Sequence, residues 1–318
     1  MLTRRMSCLV GLYLLSCLAF LTINSRGNWD FILQFRGTKV LGITLVATAI
    51  SVATLLFQTL SRNRILTPSI MGFDALYVLL QTLMIFVLGG FGFASLPQEI
   101  PLFLSFIIMM LTSLALFGTL LGNSSQVSGD DLHRLLLTGI IFGVLFRSIT
   151  SFMQRVIDPN DFVIAATSSV ANFSHINSDL LMISSLLTVG ALAAAWHYRH
   201  QLDVMALGKE VAINLGVPYK RRLYTILIII ACLVSISTAL VGPIAFFGLL
   251  VSNLTYQLLP THRHAILLPA ASLMSACVLI GGQVVLEQVL NYSTPLVVVV
   301  EFLGGLTFLL LILRGAAR

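Results

Sequence analysis

Charge is scarce in this chain. Of its 318 residues only 9% are charged, and Lys39, Lys209 and Lys220 are the only lysines. A soluble domain carries about 25% charged residues, so a soluble globular fold is excluded. A phosphate-binding Gly-x-x-x-x-Gly-Lys-Ser/Thr loop is also missing. Gly208-Lys209-Glu210 has neither the upstream glycine nor the hydroxyl, so ATP hydrolysis is not expected on this chain. Cys8, Cys17, Cys232 and Cys277 make no CxxC pair and sit within apolar runs, which reads as buried thiols rather than a metal or redox site. His133, His175, His197, His200, His262 and His264 form no HExxH arrangement, and no Ser/His/Asp set follows from spacing. Neither a catalytic centre, a metal site nor a resident cofactor is expected. Strict apolar and polar alternation in segments of roughly 10 residues is absent too, which argues against a transmembrane barrel.

Long apolar runs are what the chain has. Hydrophobic residues make up 58% of it, and mean hydropathy is +0.99. In lipid every backbone polar group must be satisfied internally, so such runs become helices. With about 20 residues per span, the runs predict spans near 6–24, 38–60, 69–92, 101–121, 134–155, 179–198, 222–242, 244–258, 265–287 and 296–313. The expected fold is an all-α, polytopic helical bundle of about ten transmembrane helices in one domain, 1–318. The eighth span is short and begins at Gly242-Pro243, where a helix breaks, so a partial or re-entrant span is expected there. The first run follows Arg4 and Arg5 and is read as an uncleaved helix rather than a signal peptide.

The net charge of +6 marks topology rather than nucleic-acid binding. With the N-terminus inside, most basic residues fall on inner segments, including Arg62, Arg64 and the run Lys220, Arg221 and Arg222. The outer segments hold only Arg26, Arg36, Lys39 and Arg155. That asymmetry obeys the positive-inside rule and places both termini in the cytoplasm. Residues 156–178 form the longest outer segment. It opens with the turn-forming Asp158-Pro159-Asn160-Asp161, and a short surface helix is expected over 163–174.

Residues 207–218, reading LGKEVAINLGVP, are a water-soluble island between two spans. A short amphipathic helix at a basic membrane boundary suits contact with a soluble subunit. Asp74, Arg147 and Glu301 fall inside spans, where charge is costly and must face a cavity or a partner. Arg147 and Glu301 differ in depth by only about 5 Å at the helical rise. They are expected to pair, either as a buried structural ion pair or as a polar lining for a charged solute.

Several stretches together carry a family resemblance. They are Gln58 with Arg62-Asn63 and TPSIMG at 67–72, LLLTGI at 135–140, LGKEVAINLGV at 207–217, GPIAFFGLLV at 242–251, and His262-Arg263 with LLPAAS at 267–272. In this order and spacing the chain resembles the FecCD permeases of bacterial ABC importers for iron–siderophore complexes, haem and vitamin B12. The resemblance implies a permease in the bacterial inner membrane, dimerised around a central pathway for ferric siderophore. Two ATPase subunits would bind the cytoplasmic face and a periplasmic binding protein would dock outside. Leu207, Gly208, Lys209, Glu210, Ala212, Leu215, Gly216 and Val217 resemble the family's coupling helix, which transmits ATPase closure as rigid-body motion. Arg36-Gly37-Thr38-Lys39 resembles the basic docking motif before the second span, with Arg36 and Lys39 receiving acidic residues of the binding protein. Arg147 and Glu301 are assigned to the translocation pathway.

The chain departs from the family in ways that also point somewhere. The second span has Ala47, Ser51 and Ala53 in place of glycines, Glu287 stands where a basic or neutral residue is usual, and Glu301 replaces a small residue. These features resemble the second permease of catecholate systems that use two different permeases, so a heterodimer is expected. A vitamin B12 or haem permease is the alternative within the family. A proton-coupled secondary transporter is the alternative outside it, and the sequence shows no inverted repeat to support one.

Overall fold

The computed structural model describes residues 2–23, 29–122, 129–173, 178–288 and 295–316. Arg26 and His175, named above, and position 174, the end of the expected surface helix, lie outside them. The described residues form thirteen α-helices: α1 Leu2–Thr22, α2 Trp29–Ser61, α3 Phe73–Ala94, α4 Glu99–Gly122, α5 Gly129–Val156, α6 Pro159–Ser168, α7 Ser178–His197, α8 Arg199–Met205, α9 Lys209–Asn214, α10 Tyr219–Val241, α11 Phe247–Leu258, α12 His264–Gln288 and α13 Leu296–Ala316. The ten expected spans correspond to α1–α5, α7 and α10–α13.

Eight of these helices (α1–α5, α7, α10 and α12) contain stretches long and apolar enough to cross a membrane. The short one is where the sequence placed it. With 12 residues, α11 rises about 18 Å against a hydrocarbon core of about 30 Å. The cause lies upstream. Gly242 ends α10 at φ 103°, Pro243 has no N–H to donate, and Phe246 takes a left-handed φ of 55° before the helix resumes. A second break lies between α2 and α3, where a single 3₁₀ turn, Pro68–Met71, precedes the start of α3.

Helix α2 is the axis of the bundle. It packs against α12, α10, α11 and α7. Val46, Ala47, Ala49, Ser51, Ala53 and Leu56 along it are buried. Lipid tails are as apolar as leucine, so close packing of small side chains and interhelical hydrogen bonds must hold such helices together. Both are present. The Ser275 hydroxyl of α12 donates to Ser51 Oγ at 3.1 Å. Gln58 Nε2 donates to Ser252 Oγ of α11 at 2.9 Å and to the Arg64 carbonyl at 2.7 Å, fixing the chain where α2 ends.

The two ends of the bundle differ. One end gathers the C-terminus of α2, the N-terminus of α12, and α8 and α9. The other carries α6, which runs from Pro159 rather than over 163–174. The earlier start has a local reason: Asp158 caps the helix by accepting the Asn160 N–H, and Pro159 occupies the first helical position.

Candidate functional site

The island at 207–218 folds as expected into a short helix, α9, joined to α8 by a sharp turn. Gly208 makes the turn at φ 112°, a conformation that L side chains rarely adopt. A Cβ there would also sit 3.1 Å from Nη1 of Arg62, which follows α2 directly. The other end of α9 closes with two hydrogen bonds, from the Gly216 N–H to the Ile213 carbonyl and from the Val217 N–H to the Ala212 carbonyl, at 2.9 and 3.0 Å. This is a Schellman cap, and it requires the positive φ of Gly216. Ala212 faces inward and is fully buried, whereas Leu207, Val211, Ile213 and Leu215 are exposed. A six-residue helix capped by two glycines, with an outward apolar face, is a rigid knob at one end of the bundle.

Cations surround the knob, and aromatic rings hold several of them. The Arg222 guanidinium lies over Tyr198 at 4.6 Å, Arg64 over Tyr256 at 4.3 Å and Arg199 over Trp196 at 4.7 Å. A further connection was not legible in the sequence. Asp203 of α8 bonds both the backbone N–H and Nδ1 of His264, at 2.7 and 2.6 Å. The Nε2 of His264 then meets Thr59 Oγ1 of α2 at 2.7 Å. His264 is buried and bonded on both sides of its ring.

Polar groups gather where the two chain breaks meet inside the bundle. Asp74 lies in the first turn of α3, beside Ser69 of the 3₁₀ turn that precedes it. A cavity of about 20 Å³, large enough for one water, is lined there by Thr54, Ser69, Asp74, Thr238 and Phe246. Glu301 of α13 accepts the Ala245 N–H at 3.2 Å, satisfying a donor at the head of α11 that the break leaves free.

The expected Arg147–Glu301 ion pair does not form among the described residues. Glu301 is turned onto the backbone of the break, whereas Arg147 lies on the exposed face of α5. Both residues are within electrostatic reach of Asp74. A similar expected depth along two spans says nothing of the azimuth of either helix. Around Arg147, the large apolar side chains Ile141, Val144, Phe152 and Val156 are also exposed.

At the opposite end, the guanidinium of Arg36 donates to the Phe20 and Ile23 carbonyls at 2.9 and 2.8 Å, tying α2 to the C-terminus of α1. Lys39 is buried and faces Glu287 of α12 at 3.6 Å, with Gln283 donating to the same carboxylate oxygen at 3.0 Å. Lys39, expected at the docking surface, faces α12 in this structure. Its charge is spent inside the bundle, and Glu287, one of the departures from the family pattern, is its partner.

Comparison with known proteins agrees with this architecture. The chain is 41% identical over 310 residues to the petrobactin import system permease protein YclO of Bacillus subtilis, covering 98% of this chain and 97% of that protein. It is 30% identical to the petrobactin import system permease protein FatC of Bacillus anthracis, over 97% of this chain and 88% of that one. A metal-chelate type ABC transporter in an inward-facing conformation superposes with a TM-score of 0.82. It covers 99% of this chain and 100% of its own at 19% identity, a likeness of fold. Residues 6–314 match the FecCD transport family, and with this match and these relatives the chain belongs to the FecCD transport family of membrane permeases.

Proposed function

We propose that this chain is one of two different permease subunits of an ATP-driven importer that carries a ferric siderophore of the catecholate type across the bacterial inner membrane. The observation that carries the reading is α9: a rigid, doubly capped helix with exposed Leu207, Val211, Ile213 and Leu215 at a basic end of a permease bundle. Such an apolar face at the surface suits a protein partner, and two ATPase subunits are the partners that a permease without a phosphate loop requires. That end is cytoplasmic in our reading, as are both termini, because the basic residues cluster there.

The substrate class rests on the petrobactin permeases to which the chain is similar. The membrane partner rests on α5. A charged residue facing hydrocarbon is costly, so exposed Arg147 calls for a second permease or a watered pathway against that face. Arg147, Glu301 and Asp74 then line the pathway, where a cation attracts an anionic chelate and the two carboxylates keep it from being trapped. At the outer end, Arg36 sits where a periplasmic siderophore-binding protein would dock. Lys39 and Glu287 support that surface from beneath.

The test is ATP hydrolysis by the assembled transporter in nanodiscs. Binding protein loaded with ferric petrobactin should stimulate hydrolysis, and haem- or vitamin B12-loaded proteins should not. A haem permease is the second reading, favoured by 28% identity to the hemin transport system permease protein HmuU of Yersinia pestis. Stimulation by the haem-loaded protein alone would establish that reading instead.

A further inference from the structure

We infer that the Asp203–His264–Thr59 chain is the positioning element that makes movement of the coupling module felt by α2 and α12, the buried core of the bundle. The inference rests on the reading of α9 as the ATPase contact and adds the path by which its displacement is delivered. A knob on a surface moves nothing unless something behind it is stiff, and α9 has two such connections, forward through Val217 and Pro218 into α10 and back through Gly208 into α8. The turn at Gly208 touches Arg62 through an exposed guanidinium. Behind α9, the backbone from Leu207 to Met205 runs straight into α8, and α8 meets both α12 and α2.

The contact of α8 with those helices is polar and directional. One carboxylate oxygen of Asp203 receives two hydrogen bonds from His264, one from the backbone N–H and one from Nδ1, at 2.7 and 2.6 Å. The backbone bond also satisfies a donor at the N-terminus of α12, where a negative charge is favoured. With Nδ1–H directed at Asp203, the tautomer is set, and Nε2 is left to Thr59. Thr59 Oγ1 also lies 2.9 Å from the Leu55 carbonyl. With a neutral imidazole, Nε2 accepts the single hydroxyl proton of Thr59. With an imidazolium, Nε2–H donates to Thr59, and the threonine proton goes to Leu55. Either way an unbroken chain of short hydrogen bonds runs from α8 to α2, through a ring that is 3% exposed.

The apolar side chains of α8, Leu202 and Met205, are buried in the core but carry no directional bond. Charge-assisted hydrogen bonds are short and orientation-dependent, so a rotation or shift of α8 drags the N-terminus of α12 and the C-terminus of α2 with it. Those are the two helices joined again by Ser51 and Ser275 deeper in the bundle. The displacement thus reaches the part of α2 that lines the small cavity at Thr54.

The experiment uses the whole transporter, with its ATPase subunits and binding protein, in liposomes. The readout is ferric petrobactin delivered per ATP hydrolysed. Thr59→Val keeps the shape of the side chain and removes the hydroxyl, and Thr59→Ser keeps the hydroxyl. Asp203→Asn keeps the size and removes the charge. Thr59→Val and Asp203→Asn should each lower solute per ATP by about fivefold or more, the low end of a typical coupling between sites, with subunit assembly intact. Thr59→Ser should retain it.

An unchanged ratio in Thr59→Val and Asp203→Asn would overturn the inference. So would loss of assembly in both, which would make the chain a fold support only. A photo-cross-linking residue at Val211 separates this outcome from failure of the underlying reading. Absence of an ATPase cross-link from Val211 removes α9 as the contact. A cross-link together with unchanged coupling removes only the Asp203–His264–Thr59 path.

Discussion

Asp161 of α6 holds the backbone of α3 where that helix breaks. Its Oδ1 accepts the Gly90 N–H at 2.9 Å, one residue after Gly89 leaves helical geometry at φ 71° and ψ 162°. The break frees a donor, and a carboxylate from a neighbouring short helix takes it. A hydrogen bond to a charged group contributes about 1.5–3 kcal/mol when buried, and this half-buried one lies at the low end.

Asp161→Ala should therefore release the Gly90 amide and loosen α6 while the bundle persists. Hydrogen exchange at Gly90 and over 159–168 is expected to accelerate about tenfold, equivalent to about 1.4 kcal/mol, with α2 and α10 unchanged. Gly90→Ala approaches the same contact from the other side, since a Cβ there would collide with Asp161 Oδ1 and Ile164 Cδ1. Protection at 159–168 equal to that of the native chain in both variants would show that the bond does not hold α6.

Gly208 and Gly216 set the shape of α9, and both have positive φ. Gly208→Val and Gly216→Val each force a β-branched residue into that region, costing about 1–3 kcal/mol apiece. The pair should leave the permease in the membrane, because neither site lies in a span, and should abolish uptake while ATP hydrolysis continues. Uptake per ATP at the native level in the double variant would exclude α9 as the coupling element.

Lys39 and Glu287 are both nearly buried, at 9% and 8% side-chain exposure. Removing one partner of such a pair leaves a stranded charge and costs about 3–5 kcal/mol, whereas an apolar replacement of both is tolerated. Glu287→Met should therefore lower the thermal stability of the detergent-solubilised permease far more than the Lys39→Met/Glu287→Met double change. Equal losses in the two variants would contradict the pairing. Arg36→Glu, by contrast, should weaken binding-protein affinity, more strongly at low ionic strength, where exposed charges are less screened.

Glu301 serves the fold through one hydrogen bond, and in the proposed pathway its charge would act on the passing chelate. Glu301→Gln retains an oxygen for the Ala245 N–H and removes the charge. It should fold and assemble as the native chain does yet move ferric siderophore at a changed rate. Glu301→Ala loses the acceptor too and should also destabilise the head of α11 by about 1–3 kcal/mol. Native transport in Glu301→Gln would reduce Glu301 to a cap.

The spans were legible because lipid imposes one rule on every residue of a run, and hydropathy reads that rule directly. The break at Gly242-Pro243 was legible for a similar local reason, as was α9 with its glycines. What escaped depended on which way helices face each other. Arg147 and Glu301 share a depth, but rotation of α5 and α13 about their axes sends one to the bundle surface and the other onto Ala245. Lys39 looked like an outer anchor until α12 brought Glu287 alongside it. His264 lies 61 residues from Asp203 and 205 from Thr59, a separation at which no spacing rule operates. Its one sequence sign was a histidine just ahead of the span expected at 265–287.

In the proposed function, ATP hydrolysis on partner subunits drives ferric siderophore through this permease. The most direct measurement is radio-iron uptake, supplied as ferric petrobactin with its binding protein, into liposomes holding the assembled transporter. The account predicts saturable uptake that requires internal ATP, stops when an ATPase subunit cannot hydrolyse it, and ignores an imposed proton gradient. Uptake that persists with the hydrolysis-dead ATPase, or that follows the proton gradient instead, would contradict it.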